Sequence, residues 1–285
     1  MIHALHIVIR GAGDLATGVA LRLWRSGFRR LVLLEREMPL SVRRLVCFSE
    51  AVREGVWRVE DVTAQRAPDI PGVNTVLAQG RLPVLVDPSA SFVPKAHPDV
   101  LIDATIAKRN LLGTSMDQAE LVIALGPGFT AGVDCHRVVE THRGHGMGRV
   151  IASGSALPNT GIPGAIMGYT KERVLRAPCD GIFETSRSIG QTVAQGEQVG
   201  IVNGMPVLAG IPGVLRGLLP HLTPVSSGLK LGDVDPRGDA SHCTIVSDKA
   251  LAVGGGVLEA IMEHFNTGPD PHNGEAARLW PLPLQ

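Results

Sequence analysis

The residues best suited to chemistry stand near the start of the chain. Gly11-Ala-Gly13-Asp14-Leu15-Ala16-Thr17-Gly18 follows the apolar run Ile7–Arg10 and leads into Leu15, Val19 and Leu23 at helical spacing. Strand, G-x-G-x-x-A turn and helix is an order that can hold a phosphate. Gly11 permits the tight turn, Gly13 lets a phosphate approach the backbone, Ala16 lets the helix pack on the strand, and the helix N-terminus supplies amide donors and a positive dipole. Glu35 closes the second apolar run, Leu31–Leu34, where an acid can grip a ribose diol, and Arg36 beside it suits a 2′-phosphate. Asp14 works the other way, because a carboxylate in the turn repels a pyrophosphate unless it is turned aside or metal-bound.

In open α/β sheets ligands sit at the carboxyl ends of strands. Asp87 falls there after Leu82–Val86, and Asp103 after Val100–Ile102, with Thr105 close behind. Gly126-Pro127-Gly128 follows the run Leu121–Leu125. These residues are expected to line a polar crevice beside Gly11 and Gly13; the plainer alternative is that both acids cap loops. Arg43 and Arg44, on an expected helix Ser41–Val52, suit an anion clamp over that crevice or a solvated helix face. His145 in a glycine-rich loop is expected to order that loop or to contact an anion. Cys135, His136, His142 and His145 lie close in sequence, but their spacing fits no regular zinc pattern, so no metal site is expected. No G-x-S-x-G elbow, Walker loop or H-E-x-x-H occurs, and no catalytic residue is assigned.

The elements that must position these residues alternate strand and helix over the first half, which predicts an α/β, Rossmann-like, mostly parallel sheet. The expected layout is a Rossmann-like ligand-binding domain over 1–170, a mostly β domain over 171–246, a helix over 247–265 packing back on the first domain, and a Pro/Gly-rich tail over 266–285. In the β domain, Cys179-Asp180-Gly181-Ile182 is echoed by Ile211-Pro212-Gly213-Val214, and Gly190 to Glu197 by Gly232 to Asp239. Two such half-units resemble the biotinyl/lipoyl-type barrel-sandwich, although Asn203-Gly204-Met205-Pro206 lacks the carrier lysine.

Composition narrows the classes further. Lys and Arg number 27 and Asp and Glu 27, and aromatics make up only 4%, so neither a polyanion-binding surface nor a stacking platform for nucleic acid is expected. No apolar run reaches the ~18 residues of a membrane span. Met1–Arg10 lacks a basic n-region and a small-residue cleavage site, so a cytoplasmic location is expected.

Several blocks together resemble one family. They are Arg10-Gly-Ala-Gly-Asp-Leu-Ala-Thr-Gly-Val-Ala20, Val42-Arg-Arg-Leu-Val-Cys-Phe-Ser-Glu-Ala-Val52, Gly126-Pro-Gly-Phe-Thr-Ala-Gly-Val-Asp134, Glu140-Thr-His-Arg-Gly-His145, Asn159-Thr-Gly-Ile-Pro-Gly164 and Gly255-Gly-Val-Leu-Glu-Ala260. The chain is similar to the YqeB-type accessory proteins of selenium-dependent molybdenum hydroxylases. The resemblance implies a maturation factor with a molybdenum hydroxylase as client, acting on its cofactor or on selenium; with the glycine turn and the strand-end acids it leads to a small phosphate-bearing ligand. A molybdopterin-type cofactor or a nucleotide, NAD(P) included, would lie in the crevice. Two other classes stay open: an NAD(P)-dependent oxidoreductase, favoured by Glu35, and a non-catalytic interaction module. Self-association into a homo-oligomer is also left open.

Overall fold

Ile7, Val8, Ile9, Leu31, Val32 and Leu33 are all buried, alternating between two hydrophobic cores on opposite faces of one sheet. A strand buried on both faces reads as a continuous apolar run, the mark of a central strand. The computed structural model describes residues 2–266. The sheet strands are β1 (His6–Arg10), β2 (Arg30–Glu35), β3 (Val56–Val59), β4 (Val62–Ala67), β5 (Leu82–Val86), β6 (Val100–Asp103), β7 (Leu121–Leu125), β9 (Arg137–Val139) and β10 (Val150–Ile151). A two-stranded ribbon pairs β8 (Thr130–Ala131) with β11 (Gly154–Ser155).

The nine strands run in the order β10-β9-β7-β6-β1-β2-β5-β4-β3. The seven inner strands are parallel, but β3 pairs antiparallel with β4, and β10 antiparallel with β9. The sheet is therefore mixed. A hairpin turning at Glu60-Asp61 builds one edge, and Glu60 takes a left-handed φ of 52° there. The expected Rossmann-like parallel sheet is corrected accordingly.

Helix α1 (Asp14–Arg25) covers one face, α3 (Ile70–Ala78) the other, and α2 (Ala51–Glu54) and α4 (Val93–Ala96) are single turns. The expected helix Ser41–Val52 does not form. Arg44–Val46 and Phe48–Glu50 are 3₁₀ turns separated by Cys47 in an extended conformation. The amide of Phe48 donates to the Thr17 hydroxyl at 2.9 Å, which draws this segment onto α1.

The chain then leaves the sheet and returns as α5 (Asp248–Phe265), which lies against α1. Gly254-Gly255-Gly256 sits inside this helix. The reason is steric. A Cβ at Gly254 would lie 2.6 Å from the Gly18 carbonyl oxygen, one at Gly256 2.1 Å from that of Gly148, and one at Gly18 2.4 Å from that of Ala250.

Between these passes lies an antiparallel unit. One sheet contains β12 (Val174–Arg176), β14 (Thr192–Val193), β17 (Gly213–Leu218) and β19 (Lys230–Asp235); the other contains β13 (Gly181–Glu184), β15 (Gln198–Val202), β16 (Met205–Leu208) and β18 (Thr223–Val225). They share a core of Leu175, Phe183, Val202, Leu215 and Leu231. The expected biotinyl/lipoyl barrel-sandwich is also corrected. The first echo is structural: Gly181 and Gly213 open β13 and β17 with matching φ of 153° and 151°. The second echo holds only at its far end, where Gly196 and Gly238 take φ of 78° and 72°; at its start Gly190 sits in a left-handed turn whereas Gly232 lies within β19. Val202 and Met205 pair across the Asn203-Gly204 turn, as in an ordinary tight hairpin. The expected tail, apart from Asn266, lies outside the described residues.

Candidate functional site

The carboxyl ends of β1, β2, β5 and β6 enclose a cleft of about 1000 Å³. Strand β1 has β2 on one side and β6 on the other, so the chain's connections diverge here, at the switch point where open α/β sheets take ligands. Gly11 turns the chain at a φ of 99°; its amide donates to the Leu34 carbonyl at 2.7 Å, and a Cβ would stand 3.1 Å from the Ala104 carbonyl oxygen. Gly13 caps α1 without a side chain, and a Cβ there would lie 3.2 Å from the Ser41 hydroxyl.

Glu35 reaches back to this turn. One carboxylate oxygen accepts the Ala12 amide at 2.9 Å and the other its neighbour Arg36's amide at 2.8 Å. Burial pushes the Glu35 carboxyl above its ordinary range, and those two amides offset part of the rise.

Asp14 is turned away from the turn's amides by an ion pair with Arg43 at 3.1 Å. Arg43 spends its other nitrogen on the carbonyls of His242 (3.0 Å) and Ile245 (2.9 Å), so it ties α1 to the segment before α5. Arg44 donates to the Leu218 carbonyl at 3.3 Å and stands 3.8 Å from Glu50. Neither arginine lines the cleft, and the expected anion clamp over it is corrected: with no helix over Ser41–Val52, both side chains run toward the antiparallel unit.

The two strand-end acids differ. Asp87 accepts the amides of Ser91 (3.0 Å) and Phe92 (2.7 Å), and so caps the loop before α4 while still lining the cleft. Asp103 is buried beneath the cleft. It accepts the Thr105 amide at 3.1 Å, the Thr105 hydroxyl at 2.7 Å and the Thr114 hydroxyl at 2.6 Å. Arg10 donates to that same Thr114 oxygen at 2.6 Å and to Gln118 at 3.2 Å. Desolvation lowers the Arg10 pKa, and Asp103 and Asp87 pull it back up. Arg10 is the functional candidate that motif reasoning passed over. Its signal was a lone cation ending an otherwise apolar strand, in register with the acid ending the next.

The cleft thus gathers Gly11, Gly13, Asp14, Glu35, Asp87 and Thr105. The others lie elsewhere. Ala16 and Thr17 are buried in the body, the Thr17 hydroxyl donating to the Ala12 carbonyl at 3.2 Å. Gly126 and Gly128 pack against Thr141 and the backbone of Lys108-Arg109. His145 lines a separate pocket of about 260 Å³ with Glu140 and Arg149. Cys135 is buried, its thiol pushed up to about 12 by desolvation, and His136 accepts the Val122 amide at 2.9 Å. Among the described residues no three His, Cys, Asp or Glu side chains are placed to hold a metal, and no helix is long and apolar enough to cross a membrane.

A mixed α/β sheet unit with a switch-point cleft, carrying an antiparallel unit between its first and last helices, is the class these features define. No protein-family model matches the chain. It is 48% identical over 262 residues to the uncharacterized protein YqeB of Escherichia coli (strain K12), a match covering 92% of this chain and 48% of that protein. The likeness supports a relationship to YqeB, and the chain spans about half the length of that relative. Among solved structures, an aspartoacylase family protein from Mesorhizobium loti is 12% identical, with 81% of this chain and 84% of that one covered at a TM-score of 0.26. A succinylglutamate desuccinylase/aspartoacylase from Rhodobacter sphaeroides is 15% identical, with 81% and 85% covered at a TM-score of 0.25.

Proposed function

We propose that the chain is a cytoplasmic accessory factor in the maturation of a selenium-dependent molybdenum hydroxylase, and that it binds a phosphate-bearing cofactor or nucleotide in the switch-point cleft. The observation that carries this reading is the cleft itself. About 1000 Å³ of space opens directly on the Gly11–Gly13 turn, with the N-terminus of the 12-residue helix α1 behind it. The pathway rests on the sequence blocks that resemble the accessory family; the Escherichia coli relative is itself uncharacterized. The molybdopterin-type cofactor carries a phosphate and is the leading ligand.

The reading as an NAD(P)-dependent oxidoreductase has one feature in its favour, Glu35 at the end of β2. Both oxygens of that carboxylate already accept backbone amides, which weakens its claim on a ribose diol. Glu35 is the cleft carboxyl held above its ordinary range, and the engagement of both its oxygens by backbone amides favours binding and delivery over turnover.

The test is native mass spectrometry of the freshly purified protein, followed by thermal-shift titration with molybdopterin, NAD, NADP and ATP. A bound mass or a ligand-specific stabilisation is expected, about 2.7 kcal/mol at 100 times the dissociation constant. Absence of any response to all four ligands overturns the cleft reading. A response confined to NAD or NADP replaces it with the oxidoreductase.

A further inference from the structure

A second polar cavity, of about 250 Å³, lies where the sheet unit meets the antiparallel unit. Six cationic side chains line it: Arg43, Arg143, Arg173, Arg216, Lys230 and Lys249. Two carboxylates, Asp14 and Asp233, line it with them. Asp14 is taken by Arg43, while Asp233 is shared by Arg216 at 2.6 Å, Arg173 at 3.0 Å and Lys230 at 3.6 Å, and Arg216 also reaches the buried Asp235 at 3.4 Å. Arg143 pairs outward with the exposed Asp248 at 2.9 Å. Among the described residues the Lys249 ammonium has no ion-pair or hydrogen-bond partner, and the carboxylates of Asp14, Glu140 and Asp248 act on it only from farther away.

This is more positive charge than the chamber's own carboxylates neutralise, and part of it is buried. Arg43 and Arg173 are only 7% and 6% exposed, and each keeps a buried Nε with no partner, as does Arg216. Desolvation, and after it the neighbouring guanidinium charge, lowers the pKa of Lys249; burial does the same to Lys230. Crowded cations with unused donors cost free energy unless an anion joins them. Guanidinium groups match a phosphate's oxygens in geometry as well as charge. Ser247, the N-cap of the 18-residue α5, and Lys249 in its first turn bring the positive end of that helix to the same wall.

We propose that this chamber is an anion-binding site for a phosphate-class oxyanion, distinct from the cleft at the glycine turn. Its volume is below the ~300–1,000 Å³ of pockets that hold whole drug-sized ligands, which favours a phosphate or pyrophosphate group over an entire nucleotide. The chamber and the cleft share Asp14 and Ser41, so the two spaces adjoin. The oxyanion is then either a free inorganic ion or the phosphate end of a molecule whose body lies in the cleft. The site does not depend on the molybdenum-hydroxylase reading.

Calorimetric titration of the full chain with inorganic phosphate, pyrophosphate and AMP, at constant ionic strength, tests it. Saturable binding is expected. Lys249→Gln and Arg143→Gln should each weaken it about tenfold, the loss of one charge-assisted hydrogen bond. Both side chains are partly exposed, and an unchanged thermal melt confirms folding. Arg36→Gln, in the cleft wall, separates the sources. If it weakens AMP alone, the oxyanion is the end of a longer molecule; if it changes nothing, the free ion is the ligand. Unsaturable binding, an equal response to chloride, or unchanged affinity in both the Lys249 and Arg143 variants overturns the proposal.

Discussion

The carboxylate of Glu35 accepts the backbone amide of Ala12 at 2.9 Å, so the end of the second strand occupies a donor of the glycine turn that ends the first. An incoming phosphate must compete with that carboxylate for the amide and lie beside its charge. Glu35→Gln is therefore expected to tighten binding of a phosphate-bearing ligand in the cleft several-fold. In the wild type, affinity should rise as pH falls toward the elevated Glu35 pKa, because protonation removes the same competitor. The variant should lose this part of the pH dependence. Thermal-shift titrations from pH 7.5 down to about pH 4, the ordinary carboxylate range, check it, and identical pH profiles for the two proteins would refute it.

Arg10, Thr114 and Asp103 form a buried relay under the cleft floor. Removing the cation leaves Asp103, 1% exposed, without its countercharge. Arg10→Met should cost about 3–5 kcal/mol. Thr114→Val, which strands one donor and one acceptor, should cost about 1–3 kcal/mol. Urea denaturation gives both numbers. Because the three groups act through one hydroxyl, the double variant should cost less than the two singles together.

The α1–α5 contact offers a sharper comparison within one glycine run. A Cβ at Gly254 or Gly256 meets a carbonyl oxygen at 2.6 or 2.1 Å, whereas at Gly255 it meets nothing within 4 Å. Gly256→Ala should destabilise the protein by about 1–3 kcal/mol through overpacking. Gly255→Ala should stabilise it by up to about 1 kcal/mol through helix propensity. Differential scanning calorimetry should move the two melting temperatures in opposite directions.

Asp233 gives the antiparallel unit an acid-sensitive joint. Burial alone would raise its pKa, but Lys230, Arg216 and Arg173 outweigh burial and hold the carboxyl well below the usual range. The unfolded chain then binds more protons than the folded one at low pH, so stability rises with pH there. The contribution is complete above the unfolded value of about 3.9 and is lost as pH falls through the folded pKa. Asp233→Asn should cost about 3–5 kcal/mol at pH 7 by stranding buried cations. It should also flatten the acid limb of the stability curve below about pH 4. Guanidinium denaturation from pH 7 to 3 measures both effects.

The elements legible in the sequence were those whose signal is local. The runs at Ile7, Leu31, Leu82, Val100 and Leu121 mark strands buried on both faces, and the Gly11–Gly13 turn with its helix is a self-contained pattern. What escaped depends on distant partners. The edge hairpin Val56–Ala67 has weak alternation and joins the sheet by pairing with β5. The helix expected over Ser41–Val52 has adequate periodicity, but Thr17 and the antiparallel unit claim its residues. The barrel-sandwich expectation took a short glycine echo for a full repeat, and the second glycine of the later pair proved to lie mid-strand. At the site, Glu35 and Thr105 were readable as strand-end polar groups. Arg43 was misplaced because its partners, Asp14, His242 and Ile245, are spread over the whole chain.

The contact of α1 with α5 also sets a timetable for synthesis. Arg22 donates to the Leu251 carbonyl across 229 residues, so the first helix emerges from the ribosome long before the helix that covers it. At roughly 5–20 residues per second that interval is on the order of 11–46 s. During it, the small residues on α1 that later receive α5 remain bare. The antiparallel unit, made of contiguous chain, can fold within the same interval. Ribosome-arrested chains ending shortly before residue 248 should therefore present a folded antiparallel unit beside an open sheet unit. A chaperone that shields apolar helix faces would be needed there only until α5 arrives.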